Sequence, residues 1–122
     1  MTLVDTSVWI DHWRHGNERL AGDLARGRVL AHPFVLGELA CGHLPKRSTT
    51  LRWLQALPVA TIARHDEVMT LLEHHGLAGG GLGWVDLHLL AAASLSSVHL
   101  WTLDKPLRRA AERIDVYGEC EG

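Results

Sequence analysis

Along this chain of 122 residues, apolar runs of three or four residues alternate with longer stretches whose apolar side chains return every third or fourth position. The first pattern is that of a buried strand, the second that of a helix with one face on a core. Residues 2–4 read as a strand ending at Asp5; Thr6 or Ser7 then caps a helix to about His15, where Gly16 and Asn17 break it. A second helical stretch covers 18–26, and 28–31 form the second strand. Pro33 suits the first turn of a helix that carries Glu38 and Cys41 and ends near Gly42. Ser48 or Thr49 caps the next helix, which Pro58 stops, and 59–62 form a third strand. A helix over 66–75 ends at Gly76, a glycine-rich loop fills 76–83, and a strongly apolar helix follows over 84–94. The fourth strand, 98–103, ends at Asp104. Pro106 then opens the last helix, to about Arg113, and 115–117 form a short edge strand.

Strands separated by helices favour a parallel sheet, because parallel neighbours need crossover connections. The expected architecture is α/β: a single domain over 1–122 with a mainly parallel central sheet of four to five strands. Open sheets of this kind gather their sites beyond the carboxyl ends of the strands. Asp5 and Asp104 both stand at such ends, so they can be neighbours in space despite their separation in sequence.

Two further acids lie where a solvated carboxylate would not. Asp86 shares a helical stripe with Leu89, Leu90 and Ala93, and Glu38 is aligned with Phe34, Val35 and Cys41. An ionised carboxylate turned toward an interior needs a cation or hydrogen-bond donors in place of its lost water. Each acid alone has a plainer explanation: a turn residue for Asp5, a helix-dipole charge for Asp86, internal salt bridges for Glu38 and Asp104. Those explanations weaken when all four must be met together. Carboxylate-only ligation points to Mg²⁺ or Mn²⁺ rather than zinc, and hence to phosphodiester hydrolysis. By contrast Asp66 and Glu67 sit in the first turn of a helix as dipole partners, Asp23 reads with several glutamates as surface charge, and Asp11 is ambiguous.

Composition adds the setting. The formal net charge of −2 gives no global basic field, which neither supports nor excludes an RNA partner. Cys41 and Cys120 make no CxxC spacing, as expected of a reduced cytosolic domain, with Cys41 in the core. No apolar run reaches bilayer length, so a soluble, cytoplasmic protein with no membrane partner is expected. The nine histidines include no HExxH motif and read as surface residues, with His88 facing away from Asp86. The glycine tract lacks the Gly-Lys-Ser/Thr ending of a phosphate loop and reads as a hinge or lid. Trp9, Trp84 and Trp101 have apolar neighbours and are expected to pack in the core.

Four blocks in order, Leu3-Val4-Asp5-Thr6-Ser7-Val8-Trp9-Ile10, Glu38 in its apolar helix, Trp84-Val85-Asp86-Leu87-His88-Leu89-Leu90 and Leu100-Trp101-Thr102-Leu103-Asp104, resemble the PIN-domain ribonucleases across nearly the whole chain. The length is most similar to that of the VapC toxins of type II toxin-antitoxin systems. The resemblance implies a PIN-like α/β/α fold and a cluster of Asp5, Glu38, Asp86 and Asp104 that binds one or two Mg²⁺ or Mn²⁺ ions. It implies that Thr102 hydrogen-bonds within the site and that Thr6 or Ser7 supports Asp5. It further implies an RNA substrate, tRNA or rRNA, a cognate VapB antitoxin and a homodimer.

The resulting expectation is an endoribonuclease in which Asp5, Asp86 and Asp104 hold the metal and Glu38 binds metal or orients the attacking water. Lys105, Arg108 and Arg14 are rim cations for the RNA backbone. A non-catalytic RNA- or antitoxin-binding module is the main alternative. A phosphotransfer domain is a weaker one, because receivers want adjacent acids and the phosphatase motif a second Asp at position 7, where this chain has Ser7.

Overall fold

The computed structural model describes residues 1–119, so Cys120 lies outside the described residues. Its elements are β1 (Thr2–Val4), α1 (Thr6–His15), α2 (Glu18–Ala25), β2 (Val29–Leu30), α3 (Pro33–Cys41), α4 (Arg47–Gln55), α5 (His65–His74), α6 (Trp84–Ser96), β3 (His99–Trp101) and α7 (Lys105–Arg113).

The strand order is β2-β1-β3 and both pairings are parallel, with Leu3 opposite Leu30 on one side and Leu100 on the other. As the middle strand, β1 is buried on both faces, with Leu3 and Val4 wholly inaccessible, which is why it reads as an unbroken apolar run. The two outer strands expected from the sequence survive as single parallel bridges, Ala31 with Val59 and Leu100 with Tyr117. Beyond Ala60 the segment leaves the sheet, and Val59 and Ile62 are both half exposed, as an edge allows. The expected parallel α/β architecture is thus the observed one, with a three-stranded core and two one-residue edges.

Helix starts differ from the expected caps for identifiable reasons. Asp5 occupies the N-cap position of α1 without accepting a helix backbone N–H, its Oδ2 taking the Ser7 hydroxyl instead. α4 begins at Arg47, before Ser48 and Thr49, with Lys46 in the left-handed region at φ 45°. α5 begins at His65, where Arg64 N–H donates to Glu67 Oε1 at 2.9 Å.

Each strand delivers the chain to the same edge of the sheet, so α1, α3 and α7 all start there. α6 feeds β3 and runs back across the sheet, so its first turn lies at that edge too. From Leu87 to Ala93 every residue of α6 is buried, as a helix apolar on all sides requires. Trp9 and Trp101 are core residues as expected, but Trp84 is 39% exposed at the start of α6.

Four further expectations are corrected. Cys41 is exposed rather than in the core. Asp23 is buried rather than solvated; Arg26 Nη1 stands 3.9 Å away, and the Asp23 Oδ1 has no hydrogen bond among the described residues. His32 and His88 are buried rather than on the surface. They belong to a row of touching rings, His32–Phe34–His88–Trp84–His65, with centroids 4.8–5.2 Å apart.

Candidate active site

Asp5 follows the last residue of β1, and its N–H donates to Trp101 O at 3.0 Å, continuing the β1–β3 ladder by one bond. Its side chain is buried, and Oδ2 accepts two hydroxyls, Thr102 Oγ1 at 2.7 Å and Ser7 Oγ at 2.8 Å. The two hydroxyls lie 3.3 Å apart. Each is fixed by a second bond from the backbone beyond β3: Leu103 N–H donates to Ser7 Oγ and Asp104 N–H to Thr102 Oγ1, both at 3.0 Å. Since Leu103 and Asp104 donate to those oxygens, the hydroxyl protons are left for Asp5. The carboxylate is therefore held in one orientation by donors from α1 and from the loop after β3.

Asp104 is exposed and caps α7, its Oδ2 accepting Leu107 N–H at 3.1 Å. Asp86 lies half-buried in the first turn of α6, where its Oδ2 reaches back to accept the N–H of the N-cap residue Gly83 at 2.9 Å. Burial pushes the Asp86 carboxyl above the ordinary carboxylate range; the Gly83 amide works against this, and the charges of Asp5 and Asp104 add to the rise. Three carboxylates from β1, α6 and the β3–α7 junction thus share one electrostatic neighbourhood.

Glu38 stands beside this group rather than inside it. It is exposed, because α3 turns Val35 and Leu39 to the core and leaves Phe34 and Glu38 on the flank. Its Oε1 accepts the hydroxyl of Thr6 at 2.8 Å, next to Asp5 in the chain. Thr6 and Ser7, interchangeable on sequence alone, therefore divide between Glu38 and Asp5.

Among the described residues no three His, Cys, Asp or Glu side chains are drawn into a ready ligand shell. Asp5, Asp86 and Asp104 each commit Oδ2 to a protein donor, and no hydrogen bond to their Oδ1 atoms occurs among the described residues. Oxygen donors alone, loosely spaced and mutually repelling, fit a hard divalent cation that keeps part of its water. Arg108 pairs with Glu112 at 3.8 Å and lies 4.6 Å over the Tyr117 ring, while Arg14 lines a hollow beside Glu38.

The PIN domain family matches residues 2–113 of the sequence, a span that contains all four acids and Thr102. This chain belongs to the PIN-domain family. The PIN domain is 42% identical over 117 residues to Ribonuclease VapC32 of Mycobacterium tuberculosis strain CDC 1551 / Oshkosh, covering 95% of this chain and 94% of the relative. The same figures hold for Ribonuclease VapC32 of strain ATCC 25618 / H37Rv. No helix among the described residues of this PIN domain is long and apolar enough to cross a membrane.

Proposed function

We propose that this PIN domain is a Mg²⁺- or Mn²⁺-dependent endoribonuclease and the toxin of a toxin-antitoxin pair, hydrolysing phosphodiester bonds of tRNA or rRNA. The observation that supports this reading is that Asp5, Asp86 and Asp104 share one electrostatic neighbourhood at the carboxyl edge of the sheet, each with its Oδ1 free of hydrogen bonds among the described residues. The likeness to ribonucleases of the VapC kind along nearly the whole chain supports it.

Asp5, Asp86 and Asp104 would hold the cation. When bound, the ion supplies a polarised water and neutralises charge developing on the phosphoryl oxygens. Ser7 and Thr102 keep the Asp5 carboxylate oriented, so that no reorganisation is needed as charge develops. Glu38, with Oε1 on Thr6, uses Oε2 to orient or deprotonate the attacking water. The leaving 3′ oxygen of the ribose takes its proton from solvent, to which Asp104 and Glu38 are open.

A VapB-type antitoxin is the proposed inhibitor and a second copy the proposed partner in a homodimer. Phe34, Trp53, Trp84 and Leu103, all more than a third exposed, are apolar surface for such contacts. The proposed compartment is the cytoplasm, and the proposed unit is one domain over 1–122.

Mapping new RNA 5′ ends across the transcriptome after brief induction tests the reading. Wild type is expected to create discrete new ends in tRNA or rRNA that Asp5→Asn does not. RNA binding without cleavage in Mg²⁺ and Mn²⁺ by antitoxin-free protein would instead identify a binding module.

A further inference from the structure

We infer that the groove between the glycine-rich loop and α7 is a track for the backbone of single-stranded RNA at the acid site, its phosphates held by Arg109 and Arg113. This rests on the ribonuclease reading and extends it to residues outside the acid cluster.

The groove has a volume of about 330 Å³ and is lined by Gly76, Leu77, Gly80, Pro106, Arg109 and Arg113 among others, with no carboxylate of the described residues in its wall. That is notable in a chain of net charge −2. Both guanidiniums are exposed, and neither forms an ion pair among the described residues, whereas Arg19, Arg26, Arg64 and Arg108 all do.

Both walls end at an acid of the site. The loop runs into Gly83, whose N–H bonds Asp86, and α7 starts immediately after its cap Asp104. A strand whose scissile phosphate sits among Asp5, Asp86 and Asp104 therefore has this groove as its continuation. Lys105, Arg109 and Arg113 lie four residues apart on α7, a rise of about 6 Å per step, on the order of one nucleotide of an extended strand. Guanidinium is suited to phosphate because its planar fork donates two parallel hydrogen bonds.

The loop is built to lie low against this face. Gly76, Gly79 and Gly81 have φ of 60°, 76° and 82°, a left-handed backbone that favours glycine, and Gly81 lies against Pro106 of α7. Leu77 anchors the loop, buried and with its N–H bonded to Leu72 O at 3.0 Å. An acidic peptide could also meet two arginines. RNA is favoured because both walls of the groove lead along the chain to acids that would carry its scissile phosphate.

The test is fluorescence anisotropy of a labelled 12-nucleotide single-stranded RNA with Asp5→Asn protein, which keeps the substrate whole, between 50 and 200 mM KCl. Wild-type cleavage of the same RNA in Mg²⁺ and Mn²⁺ is measured in parallel. Adding Arg109→Ala and Arg113→Ala is expected to lower the log–log salt slope by about 1.4, at roughly 0.7 per phosphate contact. Arg109→Lys with Arg113→Lys is expected to keep that slope. An unchanged slope and affinity in the double alanine protein, folded by circular dichroism, overturns the track. If wild type still cleaves the RNA, the ribonuclease reading survives that outcome; if wild type neither cleaves nor binds it, both fall. Loss of binding to a ten-residue polyglutamate peptide with the RNA slope unchanged assigns the groove to a protein and likewise overturns the proposal.

Discussion

Thr102 Oγ1 donates to Asp5 Oδ2 at 2.7 Å and accepts Asp104 N–H at 3.0 Å, so one wholly buried hydroxyl ties together acids 99 positions apart in the numbering of Asp5 and Asp104. Thr102→Val keeps the shape and removes both bonds. Leaving a buried carboxylate and an amide short of partners is expected to cost about 1–3 kcal/mol in urea unfolding. Cleavage is expected to fall about 10–100-fold, the usual effect of losing a group that orients a ligand. Thr102→Ser, which retains the hydroxyl, should keep most of both; a serine protein as impaired as the valine one would show that the methyl group and not the hydroxyl matters.

Asp86 is where burial and the charges of Asp5 and Asp104 combine to disfavour the ionised form. Asp86→Asn removes that penalty. In EDTA the variant is expected to melt at or above the wild-type temperature, while cleavage drops by ~100-fold or more, as when an electrostatic partner of developing charge is lost. Mg²⁺ is expected to raise the melting temperature of wild type more than that of the variant. Equal Mg²⁺ shifts in the two proteins would remove Asp86 from the metal site.

Glu38 makes a contrasting case because it is exposed and bonded to Thr6 rather than grouped with the three aspartates. Glu38→Gln keeps the acceptor for Thr6. It is expected to preserve the Mg²⁺-induced rise in melting temperature and to lower single-turnover cleavage by about 10²–10⁴-fold, the range for a lost general base. Loss of the Mg²⁺ effect would instead make Glu38 a ligand.

His32 makes stability depend on pH. Its Nδ1 accepts Phe34 N–H at 3.0 Å, its Nε2 has no partner among the described residues, and burial followed by the nearby His88 ring lowers its pKa from 6.5 to about 4. The unfolded chain binds the proton more readily, so this contribution is complete above about pH 6.5 and is lost as pH falls from there toward 4. Over that window it amounts to on the order of 3 kcal/mol. His32→Asn, which can still cap α3 but does not titrate, is expected to lose less stability than wild type between pH 7 and 4.5 in parallel urea titrations. Equal losses would show that other groups carry the acid sensitivity.

Much of this was legible in the sequence, and the reasons differ by residue. The β1 run and the Pro33 and Pro106 helix starts follow from local chemistry, so those three elements begin within a residue of expectation. Asp86 is half-buried in line with its alignment with Leu89, Leu90 and Ala93, although α6 buries every residue from Leu87 to Ala93 and so marks no single stripe. Glu38 is exposed against expectation because α3 is apolar nearly all round, and nothing local shows that Val35 and Leu39, not Phe34 and Cys41, face the core. The burial of His32 and His88 depends on rings brought together from α3, α5 and α6, which no local pattern records. The 105–109–113 spacing was visible in the sequence, but only the loop packed beside it makes it a groove.

The most direct measurement of the central claim is cleavage of a purified single-stranded tRNA or rRNA fragment in Mg²⁺ or Mn²⁺ by antitoxin-free protein, comparing wild type with Asp5→Asn at matched folding by circular dichroism. The account predicts metal-dependent cleavage by wild type, abolished by EDTA and absent in the variant. Cleavage by folded Asp5→Asn at the wild-type rate would contradict it.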